Sequence, residues 1–71
     1  MVGGTVEYWL SDEGWGAIEF DGGRLAFAHF TDIRGVEGYR KLFAGQHVEA
    51  NVAPFRQDGY DWVASDVRVL D

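Results

Sequence analysis

Turn-forming residues recur through this chain at intervals too short for helices. Asp12-Glu13-Gly14, Asp21-Gly22-Gly23, Arg34-Gly35 with Glu37-Gly38, Ala44-Gly45 and Asp58-Gly59 divide it into apolar pieces of strand length. The pieces are Thr5–Leu10, Trp15–Phe20, Leu25–Phe30, Gln46–Ala53 and Tyr60–Val69, all rich in valine and aromatic residues. None carries the three-and-four repeat of an amphipathic helix over ten or more residues. The sole proline, Pro54, follows the fourth piece, where a missing ladder donor does little harm. Tyr39–Phe43 leaves room for a turn or a short helical piece. The spacing predicts an all-β chain.

Length and composition narrow the class further. Seventy-one residues make one domain, 1–71, with no room for a second core. The absence of cysteine removes disulfides, thiolate metal sites and cysteine nucleophiles together. The longest purely apolar run, Leu25–Ala28, is far too short to span a bilayer, so no membrane partner is expected. Met1-Val2-Gly3-Gly4 lacks the basic flank and apolar stretch of a secretion signal, and a cytoplasmic protein is expected. His29 and His47 stand far apart among scattered carboxylates, without the spacing of zinc or calcium ligands. Ser11 and Ser65 sit in no nucleophile elbow, and no lysine-bearing phosphate loop is present. Neither enzyme chemistry nor a cofactor is expected.

Charge and ring content pull in opposite directions. Twelve acids against six bases give a formal charge of −6, which disfavours an electrostatic grip on phosphates. Aromatic residues nevertheless make up 15% of the chain, more than so small a core readily absorbs. Strand alternation sets Trp15, Ala17 and Glu19 opposite Gly16, Ile18 and Phe20. It likewise sets Leu25, Phe27 and His29 opposite Ala26, Ala28 and Phe30, and Val48, Ala50 and Val52 opposite His47, Glu49 and Asn51. Each strand thus has one apolar and one mixed face, as a small closed sheet requires. Trp15, Phe27 and His29 fall on the mixed face, where rings mark a binding surface. Five short strands fit a Greek-key barrel of the oligonucleotide-binding type or an SH3-like barrel, and periodicity does not choose between them.

The segments Glu13-Gly14-Trp15-Gly16-Ala17-Ile18 and Ala26-Phe27-Ala28-His29-Phe30 resemble the two ribonucleoprotein-like motifs of the cold-shock domain family. Gly4-Thr5-Val6-Glu7-Tyr8-Trp9, Asp21-Gly22-Gly23, Thr31-Asp32-Ile33, Gly38-Tyr39-Arg40-Lys41-Leu42, Gly45-Gln46 and Ala64-Ser65-Asp66-Val67 are similar to further family anchors, in order and register. The resemblance covers Gly4 to Val67 and implies a five-stranded antiparallel Greek-key barrel, the OB fold of a cold-shock domain. There are departures. Glu7 and Glu13 replace family lysines, and Ala17 replaces a motif phenylalanine. Ala26 and Ala28 replace core valines, so Trp9, Phe20 or Leu10 must restore the volume. Pro54–Asp61 reads as a longer final hairpin loop, and Trp62 stands near a position that often holds proline.

The function implied by the resemblance is binding of single-stranded RNA or DNA, without ATP, in an RNA-chaperone-like regulator of transcription or translation. The implied site is Tyr8, Trp15, Phe27, His29, Phe30 and Tyr39, with Arg40 and Lys41 beside it. Base stacking on exposed rings contributes roughly 1–3 kcal/mol per base. Two exposed glutamates oppose it by about 1 kcal/mol or less. Stacking therefore wins, and binding is expected to be weaker and less salt-dependent than the family's lysines would give. Each ring also has a plainer use in packing, and Trp9, Phe55, Tyr60 and Trp62 are assigned to packing or to a separate contact patch. A second expectation is a protein-interaction module that presents Leu10, Phe55 and Trp62, ringed by acids, to a basic protein partner. The expected state is monomeric, with dimerisation through exposed tryptophans as a weaker alternative.

Overall fold

The computed structural model describes residues 1–35 and 40–70. Five strands follow one another: β1 (Val2–Leu10), β2 (Trp15–Phe20), β3 (Arg24–His29), β4 (His47–Gln57) and β5 (Tyr60–Val69). They close into a barrel in the order β1-β2-β3-β5-β4. β1 pairs antiparallel with β2 and β4, as β2 does with β3 and β4 with β5. A ring with an odd number of strands cannot alternate throughout, so it must contain a parallel pairing. That pairing is β3 with β5, through Ala26↔Trp62 and Phe27↔Val63. The expected all-β five-stranded barrel is therefore present, closed by one parallel seam.

The barrel interior follows the alternation. Val6, Ile18, Phe20, Ala26, Ala28, Ile33, Leu42, Val48, Ala50, Ala64 and Val67 form the buried cluster. Trp9 packs against it from one side and Phe20 lies inside it, supplying volume that Ala26 and Ala28 do not. Gly16 pairs with Trp9, and a Cβ there would stand 2.3 Å from the Tyr8 carbonyl oxygen and 2.7 Å from the Trp9 ring. Only glycine lets β1 and the indole approach β2 this closely.

Of the boundaries that differ from the sequence reading, three bear on the site. β1 begins at Val2, pairing with Ala50 of β4, so Gly3 and Gly4 do not break it. β3 ends at His29, and Phe30 opens a single 3-10 turn, Phe30–Asp32. Phe30 therefore leaves the inward phase of Ala26 and Ala28 and is 41% exposed. The expected long loop Pro54–Asp61 does not exist. β4 continues through Pro54 to Gln57, and only Asp58 and Gly59 turn the chain, at φ 49° and 87°. Positive φ at both central residues is the geometry whose twist matches a two-residue hairpin. β1 pairs with β4 only over His47–Ala50, so beyond it β4 has an open edge that tolerates a proline. Residues 40–43 carry no helix.

Candidate functional site

β1 contains an extra residue between Val6, opposite Ile18, and Tyr8, opposite Ala17. This bulge at Glu7 changes the phase of the strand: Val6 faces inward, whereas Tyr8 joins the outer face of β2. On that face a cross-strand row runs Tyr8, Ala17, Phe27, with Val63 of β5 next. The neighbouring row sets Leu10, Trp15 and His29 side by side. Register alone thus brings Tyr8, Trp15, Phe27 and His29 onto one patch of three strands.

The rings contact one another. Trp15 stacks on Phe27 with centroids 5.3 Å apart and planes at 24°. Tyr8 meets Trp15 edge-on at 6.1 Å, and Tyr60 meets it edge-on at 6.5 Å. The hydroxyls of Tyr8 and Tyr60 are hydrogen-bonded, tying β1 to β5 across the patch. Phe27 consequently retains only 8% exposure, covered largely by Trp15 and its strand neighbours, while Trp15, Tyr8 and Tyr60 are half-buried. Hydrogen bonding to Tyr60, burial, and the charge Tyr60 can carry push the Tyr8 phenol up to about 12. The Tyr8 hydroxyl therefore stays neutral through the physiological range.

His29 and Phe30 form a second pair, 4.4 Å apart and tilted by 39°. Their position is set by the 3-10 turn. The His29 backbone N–H donates to Asp32 Oδ2 at 3.0 Å, and His29 Nδ1 lies 3.0 Å from Thr31 Oγ1. The Phe30 N–H donates to the Gly14 carbonyl at 2.8 Å, holding the turn against the β1–β2 connection. Arg40 and Lys41 are exposed, and the Lys41 ammonium sits 4.9 Å from the centroid of Phe43, a ring outside the expected set. Tyr39 lies outside the described residues.

Tyr60, assigned from the sequence to packing or a separate patch, stands in the ring cluster itself. Its partner Tyr8 is 52 residues away, a separation that no local pattern reveals. Trp62 packs against the core and carries the Arg24 guanidinium 5.3 Å from its ring centroid. Phe55 is 60% exposed on β4. Chemically, the patch offers aromatic faces and edges, phenol hydroxyls and an imidazole, which suit flat unsaturated groups with polar edges. Among the described residues, no group of three histidine or acidic side chains could hold a metal ion. No helix among them is long and apolar enough to cross a membrane.

Comparison with models of known protein families finds none that matches. Individual proteins do match. The chain is similar to the cold shock-like protein CspLB of Listeria monocytogenes, 44% identical over 52 residues that are 73% of this chain and 77% of that protein. It is similar to the cold shock protein CspB of Geobacillus stearothermophilus, 40% identical over 52 residues with the same shares. The cold shock protein ScoF of Streptomyces coelicolor is 42% identical over 53 residues, 73% of this chain and 78% of its own.

Proposed function

This chain belongs to the cold-shock protein family, and on that footing we propose that it binds single-stranded RNA or DNA by stacking unpaired bases on the outer face of β1–β3. The observation that carries this reading is the co-location of Tyr8, Trp15, Phe27 and His29 on one face, with Phe30 at its margin. Every base has a flat face, so such a surface holds single strands with little dependence on sequence. A duplex, whose bases are already stacked, gains nothing there. Binding therefore shifts a hairpin toward its open form by mass action, without ATP. That is how an RNA chaperone acting on transcription or translation would work.

Trp15 is the ring best placed to receive a base. Phe27 stacks against it, His29 stands beside it on the neighbouring strand, and Phe30 packs on His29. Phe27 contributes chiefly by holding Trp15 flat, since little of its own face is open. A pyrimidine-rich single-stranded oligonucleotide should quench the tryptophan fluorescence, and the same sequence as a duplex should not. Absence of quenching at low salt, with intact protein, would remove the proposal.

The solvent-facing Phe55 on the open side of β4 favours a second reading, an apolar contact for a basic protein partner on an acidic surface. Association that survives nuclease treatment and is lost in Phe55→Ser would support it. Recovery of nucleic acid alone would count against it.

A further inference from the structure

Ala17 sits in the middle of the ring patch, between Tyr8 and Phe27, with only a methyl group to cover its part of the sheet. It is nevertheless 0% exposed. Its cross-strand neighbours Tyr8 and Phe27 flank it, and a further ring of the patch comes from a distant strand. Asp58 and Gly59 turn the chain, and Tyr60, the first residue of β5, brings its ring to Trp15 of β2 although β5 pairs only with β3 and β4. There its ring meets Trp15 edge-on and its hydroxyl bonds to that of Tyr8. Tyr60 also lines an open groove with Leu25, Arg24, Asp61 and Trp62, and it is half-buried.

We propose that Tyr60 is a base-contacting ring of this interface, taking the place on the sheet that Ala17 leaves bare and fixed there by its hydroxyl bond to Tyr8. The proposal deepens the nucleic-acid reading and rests on it. The surface then consists of rings from four strands instead of three, clasped across the middle. Tyr8 and Tyr60 flank Trp15 edge-on on the patch that receives bases, and their two hydroxyls add polar groups able to pair with base edges. A ring supplied by a hairpin tip also makes the affinity depend on the β4–β5 turn, far in sequence from the two motif strands.

The test is a titration of wild type, Tyr60→Ala, Tyr60→Phe and Ala17→Phe/Tyr60→Ala with one pyrimidine-rich oligonucleotide. Tyr60→Ala should weaken binding roughly five-fold or more, the effect of losing one stacked ring. Tyr60→Phe should lose less, and the double variant should regain most of the loss because a ring returns to the same place. Wild-type affinity in Tyr60→Ala, or no recovery in the double variant, would overturn the assignment while leaving the nucleic-acid reading intact. A wild type that binds no oligonucleotide would overturn both. Should Tyr60→Ala fail to fold, the Tyr60 ring protons of the wild type decide the matter: they should shift on adding oligonucleotide, and unmoved resonances would refute the proposal.

Discussion

Trp9 is turned inward by the bulge at Glu7, and its indole Nε1 ends buried without an acceptor among the described residues. A buried donor left unpaired costs roughly 1–3 kcal/mol, which offsets much of what the ring gains by packing. Trp9→Phe should therefore change stability by less than about 1 kcal/mol, since it removes the orphan donor along with some volume. Trp9→Ala should cost roughly 3–5 kcal/mol, because it empties the site. Chemical denaturation of the two variants separates these outcomes, and equal losses would contradict them. Tyr8 gives a pH-dependent counterpart. Its folded-state value is raised to about 12, above the usual 10, so the hydroxyl bond to Tyr60 contributes stability that is fully present below pH 10. That contribution should fade as pH rises through 12, and Tyr8→Phe should flatten the alkaline limb of a stability-against-pH curve. The same residue shows where a sequence is hard to read. Simple alternation from Val6 turns Tyr8 inward, and only the bulge, which no residue type announces, brings it outward; the family motif points to Tyr8 where periodicity does not.

At the scale of strands and turns, punctuation is the reliable signal. β2 and β5 run from Trp15 to Phe20 and from Tyr60 to Val69, the bounds that their flanking turn residues imply. β4 reads too short in the sequence because Pro54 has the look of a terminator, and the open edge that admits it is a property of the sheet, not of the segment. The parallel β3–β5 seam is equally hidden, since it follows from closing an odd number of strands. Alternation does place Trp15, Phe27 and His29 together, because β2 and β3 pair without a register shift. Tyr60 escapes it, because its ring contacts are with β1 and β2, strands that β5 does not pair with. The Asp58-Gly59 turn immediately precedes it. Gly59 sits at φ 87° with open space around it, so Gly59→Ala meets only the backbone penalty. It should lower stability by about 1 kcal/mol in a thermal or denaturant melt. An unchanged midpoint would show that the hairpin adopts another turn.

For the molecule as a whole, the proposed function poses the question of how an anionic protein would hold an anionic strand. Several of its bases are already matched: Arg34 and Arg68 approach Asp66 at 4.0 and 3.2 Å, and Arg56 meets Asp61 at 2.8 Å. These exposed pairs are each worth about 1 kcal/mol or less, so they stabilise little while competing for phosphates. Glu7 and Glu13 flank Tyr8 and Trp15 in the chain and are exposed. Glu7→Lys with Glu13→Lys should tighten binding and steepen its salt dependence, by roughly 0.7 in the log–log slope for each phosphate that a new lysine neutralises. An unchanged slope would place the strand away from both residues. Stacking is the term asked to outweigh repulsion, and it is read most directly by following the ring protons of Trp15, Tyr8, His29 and Phe30 while a single-stranded oligonucleotide is added. Large upfield shifts concentrated on those rings, growing to saturation, are the expected result. Resonances that stay in place, or shifts confined to Phe43 and Phe55, would contradict the account.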